Sequence, residues 1–471
     1  MQQQVAWCDL KDGTSLMHDT QQDPVDVGQM IAWIADGETP DGQQKIGTEH
    51  EKFLFHRQTL APVAYGGEAG IGVLLERLLT DLGPGAEPIM ENDNIIGIVD
   101  ADGGAVTLEP GGQLELSGAP LDDIHQTCSE TGRHLRHMLA AAKPLDIGMM
   151  GLGYHPVARR EDISFMPKGR YRIMSRHMPK VGTLGLDMML RTCTVQVNLD
   201  FADEADMRQK FRTSLALQPV ATALFANSPF KDGKPSGFLS TRAHAWTDTD
   251  AARSGVPACV FDPYFGYEQW IDYILDVPMY FLHRGDDYID VAGQSFRDFM
   301  DGMLPGFEGQ LPSMADFQDH ITTAFPEVRL KRFLEMRGAD GGALGNICAL
   351  PAFWTGLLYD AEALAAATKL AEGLTANDVM EARLSVSRDG LRGQLGGRDI
   401  HKLAEELVKL SSDGLRRRAQ IDDGGNDETG YLAPLREVVS SGETPADRLL
   451  RLYDTSWGGD LQQIFNAEQY Q

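Results

Sequence analysis

Two glutamates stand two positions apart in the run KIGTEHEKFLF, residues 45–55. Side chains at positions i and i+2 of a β-strand point to the same face, so the carboxylates of Glu49 and Glu51 would lie roughly 6.5–7 Å apart. Like charges this close repel each other unless protons or cations neutralise them. A solvent-exposed polar face is the alternative, and the choice depends on whether other carboxylates join the pair.

Three further segments supply oxygen-bearing side chains. Glu109 and Glu115 come from two predicted strands of AVTLEPGGQLELSG, which reverse at Pro-Gly-Gly. Gln196 lies on the polar face of RTCTVQVNLDF, in which polar and apolar residues alternate. Glu335 follows the basic run of RLKRFLEMRGADGG. If the fold brings these side chains together, they form an all-oxygen set of the kind that binds Mg²⁺ or Mn²⁺.

The chain also concentrates Arg and Lys in two stretches, ARREDISFMPKGRYRIMSRHMPK and EVRLKRFLEMR. Carboxylates, divalent cations and basic groups together indicate a site for nucleotide phosphates, at which metals suppress the repulsion between anions. Two other classes stay open at this point: a glycosidase, because paired glutamates also serve glycoside hydrolysis, and a non-catalytic cation-binding protein. The number of carboxylates and the basic stretches favour phosphate chemistry.

These side chains need a sheet to position them. Strand patterns are scattered among helical ones without a regular βαβ rhythm, and NIIGIV and GAVTLEP flank the turn DADG as in a β-hairpin. The pattern predicts an α+β fold with an antiparallel sheet. We expect one catalytic unit over residues 1–471, with a sheet-containing active-site core at 40–345 and a mainly helical C-terminal part at 346–471.

Composition excludes several classes of partner. The formal net charge of −27 argues against nucleic acid and anionic membranes, and no stretch approaches the roughly 20 apolar residues of a membrane span. The start, MQQQVAWCDLKDGTSLMHD, lacks the features of a signal or transit peptide, which predicts a cytoplasmic protein.

The cysteines are spaced widely and without a CxxC pair, which predicts reduced thiols; they are Cys8, Cys128, Cys193, Cys259 and Cys348.

Five segments, in order along the chain, resemble the glutamate–cysteine ligase family in its plant and proteobacterial branch: GTEHEKF, LEPGGQLELSG, RTCTVQVNLDF, ANSPFKDGKPSGFLSTRAHAWTDTD and FPEVRLKRFLEMRGADGG. The resemblance implies a glutamine-synthetase-like α+β fold, in which a curved antiparallel sheet forms a funnel surrounded by helices. It also implies ATP-dependent ligation of the γ-carboxylate of glutamate to the amino group of cysteine through a γ-glutamyl phosphate, the first step of glutathione biosynthesis. The alternative is a ligase of the same kind that joins glutamate to a different amine.

The resemblance assigns roles residue by residue. Two or more Mg²⁺ ions, with Mn²⁺ possible, would bind Glu49, Glu51, Glu109, Glu115, Gln196 and Glu335. Glutamate would contact Arg170, Thr194, Arg242 and Trp246, and Tyr280 would form a wall of the cysteine pocket. The triphosphate of ATP or the transition state would face Arg329, Lys331 and Arg337, and Arg242 and Arg337 would be catalytic. His50 would face away from the two glutamates beside it and be structural.

The chain departs from the plant members of this family in one respect. Those members carry redox-sensitive cysteine pairs, but YIDVAGQSFRDFMDGMLPGFEG, where one pair would align, contains no cysteine. We therefore do not expect regulation through that pair, and the missing transit-peptide pattern implies a bacterial, cytosolic enzyme. The expected partners are glutamate, cysteine and ATP, with neither nucleic acid nor membrane, and the expected state is a monomer or weak homodimer.

Overall fold

The computed structural model describes residues 23–285 and 287–471, and Cys8 and the N-terminal pattern discussed above lie outside them. Within the described residues, nine strands belong to one sheet. They are β1 (Ile46–His56), β2 (Glu87–Glu91), β3 (Asn94–Val99), β4 (Ala105–Leu108), β5 (Leu114–Ser117), β6 (Ile147–Met150), β7 (Thr194–Leu199), β8 (Val328–Leu330) and β9 (Leu334–Asp340). The order is β8–β9–β7–β1–β5–β4–β3–β2, with β6 paired to β1, and every pairing is antiparallel.

Strand β1 is the branch point of this sheet. Residues 46–50 pair with β7 and residues 49–52 pair with β5. The last four residues, 53–56, pair with β6. The segment that carries the two opening glutamates therefore has a neighbouring strand on each side, and its side chains meet those of strands distant in sequence.

Helices surround the sheet. In the described part of the chain they are α1 (Val27–Ala35), α2 (Ile71–Leu82), α3 (Ile124–Ala142), α4 (Gly169–Val181), α5 (Gly185–Arg191), α6 (Glu204–Leu224), α7 (Thr241–Ala245), α8 (Tyr267–Asp276), α9 (Phe296–Met300), α10 (Met314–Thr322), α11 (Leu344–Leu358), α12 (Ala361–Ala371), α13 (Ala376–Asp389), α14 (Ile400–Arg418), α15 (Ala433–Ser441), α16 (Pro445–Asp454) and α17 (Ile464–Ala467). Two-residue to four-residue strands form separate small ribbons: Ser254–Gly255 with Phe325–Pro326, Phe281–Arg284 with Asp287–Asp290, Gln394–Leu395 with Arg398–Asp399, and Phe230–Lys231 with Lys234–Pro235. None of the described helices combines the length and apolar character that crossing a membrane requires.

The alternation of polar and apolar residues along β7 separates two buried faces. Val195 and Val197 are fully buried on the face that packs against α11. Gln196 and Asn198, on the opposite face, are also buried. Glu49 on the neighbouring strand is only 2% exposed. The alternative of a solvent-exposed polar face is therefore wrong, and the polar face must enclose a site that accepts charge.

The C-terminal helices pack against the sheet. The last strand ends at Asp340, and α11 starts at Leu344 and packs against β7, β1 and α3. Near the end of the chain, the backbone N–H of Tyr470 donates to the carbonyl of Met149 at 2.9 Å, and its hydroxyl donates to the carbonyl of Gly342 at 2.6 Å. Helices and an antiparallel sheet in one body confirm the predicted α+β class.

Two cysteines do not match the prediction of reduced thiols. Cys128 on α3 and Cys348 on α11 form a disulfide across a sequence separation of 220 residues, whereas Cys193 and Cys259 are free. The sequence could not reveal this pair, because α3 and α11 become neighbours only when both pack on the same face of the sheet. A cross-link over so long a loop stabilises the fold mainly by restricting the unfolded chain.

Titratable side chains also lie on the helix-covered face. His50 points there, as predicted, and its ring contacts that of His134 edge to face at 5.5 Å. Glu130 of α3 accepts the N–H of Ala119 at 2.9 Å through Oε1, while its buried Oε2 has no donor among the described residues. Burial raises the pKa of Glu130 to about 7, so this carboxyl group holds a proton well above its ordinary pKa of 4.5.

We expect the free energy of unfolding to fall as the pH rises from 4.5 to about 7, because the folded protein binds the Glu130 proton more tightly than the unfolded chain does. Glu130→Gln keeps the acceptor for Ala119 and removes the ionisation. The variant should be more stable than the parent at pH 8, by on the order of 1–3 kcal/mol, and nearly equal to it at pH 5. Thermal unfolding at the two pH values measures this. A difference independent of pH, or one equal to that of the exposed control Glu406→Gln, would contradict it.

Candidate active site

A cavity of about 130 Å³ opens on the polar face of the sheet. Strands β1, β5, β7 and β9 contribute one side of it, and helices α4, α5 and α7 contribute the other. Most residues predicted for the site line this cavity: Glu51, Glu109, Glu115, Arg170, Thr194, Gln196, Arg242, Trp246, Arg329 and Arg337. The cavity therefore joins side chains that come from widely separated parts of the sequence.

Strand register brings the carboxylates together. Glu51 of β1 lies directly opposite Glu115 of β5, and such cross-strand neighbours have Cβ atoms roughly 4.5–5.5 Å apart. Glu109 follows β4 at a tight turn in which Gly112 has φ of +81°, a conformation that favours glycine. All three glutamates line the cavity. Their mutual repulsion favours a cation between them.

Glu49 lies beside this group and is held by two amides. Its carboxylate accepts the Nε2–H of Gln196 at 2.9 Å and the Nδ2–H of Asn198 at 2.7 Å. The carbonyl oxygens of the same amides, Oε1 of Gln196 and Oδ1 of Asn198, are buried and accept no hydrogen bond from a described residue. These oxygens can accept a hydrogen bond or coordinate a cation, and an oxygen-preferring cation such as Mg²⁺ fits them.

Two of the carboxylates that line the cavity each accept a hydrogen bond through Oε2. Oε2 of Glu51 accepts the N–H of Thr194 at 3.0 Å, and Oε2 of Glu115 accepts the hydroxyl of Thr107 at 3.0 Å. Over residues 23–285 and 287–471, no three acidic, histidine or cysteine side chains stand close enough together to hold a metal ion by themselves. A cation at this wall would also need amide and substrate oxygens, which is the usual way in which Mg²⁺ binds.

Three cations surround Glu335. Arg329 donates to its carboxylate through Nε at 2.8 Å and Nη2 at 3.1 Å, Arg337 donates through Nη1, and Nζ of Lys331 lies 3.7 Å away. Glu335 is fully buried and does not line the cavity, whereas both arginines do. Burial lowers the pKa of Arg337, but the carboxylates of Glu335 and Glu49 outweigh burial and raise it overall. Glu335 thus holds two guanidinium groups at the cavity wall.

Arg242 and Trp246 carry N–H groups that have no partner in the described part of the chain. Nη2 of Arg242 donates to the carbonyl of Arg337 at 2.6 Å, and the hydroxyl of Thr194 donates to the same carbonyl at 3.1 Å. Nε of Arg242 and Nε1 of Trp246 are buried and bond to none of the described residues. Burial lowers the pKa of Arg242, but arginine keeps its charge at every physiological pH. Both groups can therefore donate to a bound anion.

Asp340 fixes the segment that carries Arg242, and the sequence analysis missed it. Its carboxylate accepts the hydroxyls of Ser228 at 2.6 Å and Ser240 at 2.7 Å. Ser240 is the N-cap of α7, and the backbone N–H of Arg242 donates to the Ser228 hydroxyl at 3.2 Å. The only sequence signal was an aspartate at the end of a predicted strand, which does not distinguish a positioning group from a turn residue.

Comparison with known proteins decides the family. The family model Glutamate-cysteine ligase family 2 matches residues 45–467. The chloroplastic glutamate–cysteine ligase of Arabidopsis thaliana is 51% identical over 449 residues, which cover 95% of this chain and 84% of that protein. Chloroplastic glutamate–cysteine ligase B of Oryza sativa subsp. japonica is 50% identical, with coverage of 95% and 88%. The chain belongs to glutamate–cysteine ligase family 2.

Membership of this family confirms the predicted enzyme class, an ATP-dependent ligase that joins glutamate to cysteine to give γ-glutamylcysteine. The crystal structure of the Francisella tularensis glutamate–cysteine ligase in complex with AMP is 14% identical to this chain. The structural alignment covers 89% of this chain and 86% of the Francisella tularensis chain, with a TM-score of 0.51. This likeness confirms the predicted glutamine-synthetase-like fold.

The predicted cytoplasmic location is wrong on this comparison. The Arabidopsis and Oryza relatives of the family are chloroplastic proteins. The prediction relied on the composition of an N-terminal segment, whereas the relatives share the catalytic body of the chain, which carries no signal for a compartment.

Besides Glu49 and Glu335, two residues predicted for the ligase site do not line the cavity. Tyr280 is buried, its hydroxyl donates to the sulfur of Met178 at 3.6 Å, and the guanidinium of Arg253 lies 3.7 Å from the centre of its ring. Lys331 is fully buried beside Glu335. The roles of Tyr280 at the cysteine and of Lys331 at the triphosphate stay predictions that rest on the resemblance.

The ligase cavity also has an apolar wall that the sequence analysis missed. Helices α4 and α5 contribute Met174, Met188 and Met189. Gln113 anchors the end of α5, because its Nε2 donates to the carbonyl of Met189 at 3.2 Å and to that of Thr192 at 2.9 Å. Apolar residues at helical spacing look the same in a core and in a binding site, so the sequence held no signal for this wall.

Proposed function

We propose that the cavity is the site at which both stages of the ligation take place. An oxygen of the glutamate γ-carboxylate attacks the γ-phosphorus of ATP, ADP leaves, and γ-glutamyl phosphate forms. The amino group of cysteine then attacks the acyl carbon, loses a proton, and expels phosphate. The observation that carries the proposal is that one cavity joins an acidic wall to a cationic wall; these are Glu51, Glu109 and Glu115, and Arg242, Arg329 and Arg337.

The acidic wall is the proposed place for Mg²⁺. Glu51, Glu109 and Glu115 would hold it together with Oε1 of Gln196, and Glu49 would orient that amide. When bound, two or more Mg²⁺ ions, or Mn²⁺ in their place, would lower the repulsion between the attacking carboxylate and the triphosphate. Because three cations already surround it, we assign Glu335 to holding the arginines rather than to the metal.

The cationic wall is the proposed place for the anionic ends of the substrates. Arg242 and the indole N–H of Trp246 would hold the α-carboxylate of glutamate, because both have buried donors without partners. Arg329 and Arg337 would face the triphosphate and stabilise charge that develops on the transferred phosphoryl group. Arg170 lines the same cavity and is a further candidate for contact with glutamate. The oligomeric state, a monomer or weak homodimer, stays a prediction.

The acyl phosphate makes a specific isotopic prediction. If an oxygen of the glutamate side chain attacks the γ-phosphorus, glutamate labelled with ¹⁸O in its γ-carboxylate must pass one labelled oxygen to each phosphate released. Mass spectrometry of the phosphate measures this, and glutamate labelled in its α-carboxylate is the control that should give unlabelled phosphate. Unlabelled phosphate from the γ-labelled substrate would exclude the intermediate.

Glu51→Gln and Glu115→Gln should each lower kcat by about 100-fold or more while the fold survives, because each removes a negative charge from the proposed metal wall. The matched control is Glu130→Gln, which changes a buried glutamate on the opposite face of the sheet and should keep full turnover. Steady-state assays with circular dichroism measure both effects, and Mn²⁺ binding followed by electron paramagnetic resonance should weaken in the two site variants. Unchanged turnover and Mn²⁺ affinity would remove these residues from the metal site.

Arg242→Ala should raise the KM for glutamate by roughly 10- to 100-fold and leave the KM for ATP nearly unchanged, because a contact to the α-carboxylate is lost in ground and transition states alike. Arg212→Ala is a suitable control, since Arg212 bonds only to the carbonyls of Val260 and Asp262 among described partners. A selective rise in the KM for ATP would place Arg242 at the nucleotide instead.

A further inference from the structure

A second, smaller cavity adjoins the active-site cavity. Its volume is about 20 Å³, room for about one water molecule. Arg242, Trp246, Phe325 and Arg337 line both cavities. The smaller one adds Glu327 and Arg383, which do not line the larger one. The wall between the two cavities therefore includes three groups that we assign to substrate, and a second layer of charge lies behind it.

Arg383, on α13, connects two elements of this second layer. Its Nε donates to Oε1 of Glu327 at 2.6 Å, and its Nη2 donates to the backbone carbonyl of Trp246 at 3.4 Å. The side chains of Arg383 and Glu327 are 13% and 14% exposed, so solvent screens the pair only in part. A guanidinium has a rigid, planar set of donors, and two contacts in different directions fix the distance between their acceptors.

Glu327 in turn contacts the backbone of Arg337. The carbonyl of Glu327 accepts the backbone N–H of Arg337 at 3.0 Å. Arg337 lies where β9 changes register against β7, between Met336 and Ala339, so the ladder of the sheet does not fix its backbone alone. The side chain of Glu327 packs closely against the backbone of Gly338, because a Cβ atom on this glycine would stand only 2.7 Å from Oε2 of Glu327.

We propose that Arg383 is a positioning residue for the ligation. With Glu327 it holds the turn that carries Trp246 and the bulge that carries Arg337 at a fixed separation, without touching the substrates. This inference rests on the proposed roles of Trp246 and Arg337. It also gives the C-terminal helices, which the sequence analysis placed outside the active-site core, a part in the reaction.

The alternative is that the ion pair of Arg383 with Glu327 stabilises the fold and has no effect on the reaction. Another ion pair of the chain serves as a matched control for this alternative. Arg418 on α14 pairs with Glu428 at 3.4 Å, and their side chains are 14% and 0% exposed. This pair lines neither of the two cavities described above. Arg418→Met should therefore lower the melting temperature and leave kcat and every KM unchanged.

Arg383→Met is the decisive variant. It should raise the KM for glutamate roughly tenfold and lower kcat, with a loss in melting temperature no greater than that of Arg418→Met. Arg383→Lys, which keeps a charge for Glu327 but lacks the second donor direction, should restore part of the loss. In the double variant with Glu327→Gln, the two effects should be less than additive, because both remove the same connection.

Glutamate KM and kcat within twofold of the parent in Arg383→Met would overturn the inference, as would fully additive effects in the double variant. If Arg383→Met does not fold, the same measurements on Arg383→Lys and Glu327→Gln decide, and unchanged constants in both overturn it. The outcome is separable from that of the proposed site. A raised glutamate KM in Arg242→Ala with unchanged constants in Arg383→Met would reject only the positioning role.

Discussion

The burial of several carboxylates on one face of the sheet is the constraint on which the rest of the structure depends. The polar face of the sheet buries glutamates on adjacent strands, with Glu51 directly opposite Glu115 in the register. The molecule places its own cations Arg242 and Arg337 within electrostatic reach of Glu51. It keeps its arginines on the neighbouring strands and engages them with a different carboxylate, Glu335. The cavity is thus left with separated positive and negative walls, and a substrate that carries phosphate and metal can satisfy both at once.

The antiparallel sheet makes such a separation possible. Strands expose every second side chain to one face, so a row of polar residues across β5, β1, β7 and β9 converges without any residue leaving its strand. The helices α3 and α11 cover the other face and keep water out behind the site. Rigidity of this kind is what electrostatic catalysis needs, since dipoles and charges that are already oriented do not have to reorganise during the reaction.

Part of this arrangement could be predicted from the sequence. The period-two spacing of Glu49 and Glu51 and the alternation around Gln196 are local properties, so they predicted both the strands and the shared polar face. The assignments of Arg242 and Trp246 needed the resemblance to a family, because nothing in their local pattern points to a cavity. Partners that meet only through packing could not be predicted, as the disulfide of Cys128 with Cys348 illustrates.

The same limit explains the residues whose surroundings differ from expectation. Glu335 has the residue type of a metal ligand, yet the sequence could not tell that three cations would surround it. Tyr280 lies in a segment that resembles the family's, but its hydroxyl points to Met178 within the core. Asp340 and Arg383 act on other side chains rather than on a ligand, and residues of that kind have no recognisable spacing.

The order of the strands has a consequence for biosynthesis. The central strand β1 is completed on one side by β7 and β9, and β9 ends at Asp340, far along the chain from Ile46. At a translation rate of roughly 5–20 residues per second, the acidic strand emerges from the ribosome tens of seconds before the arginine-bearing one. Until β7 has also been synthesised, the nascent polypeptide exposes an unpaired edge of β1, and the carboxylates of that strand oppose premature pairing with another copy of itself.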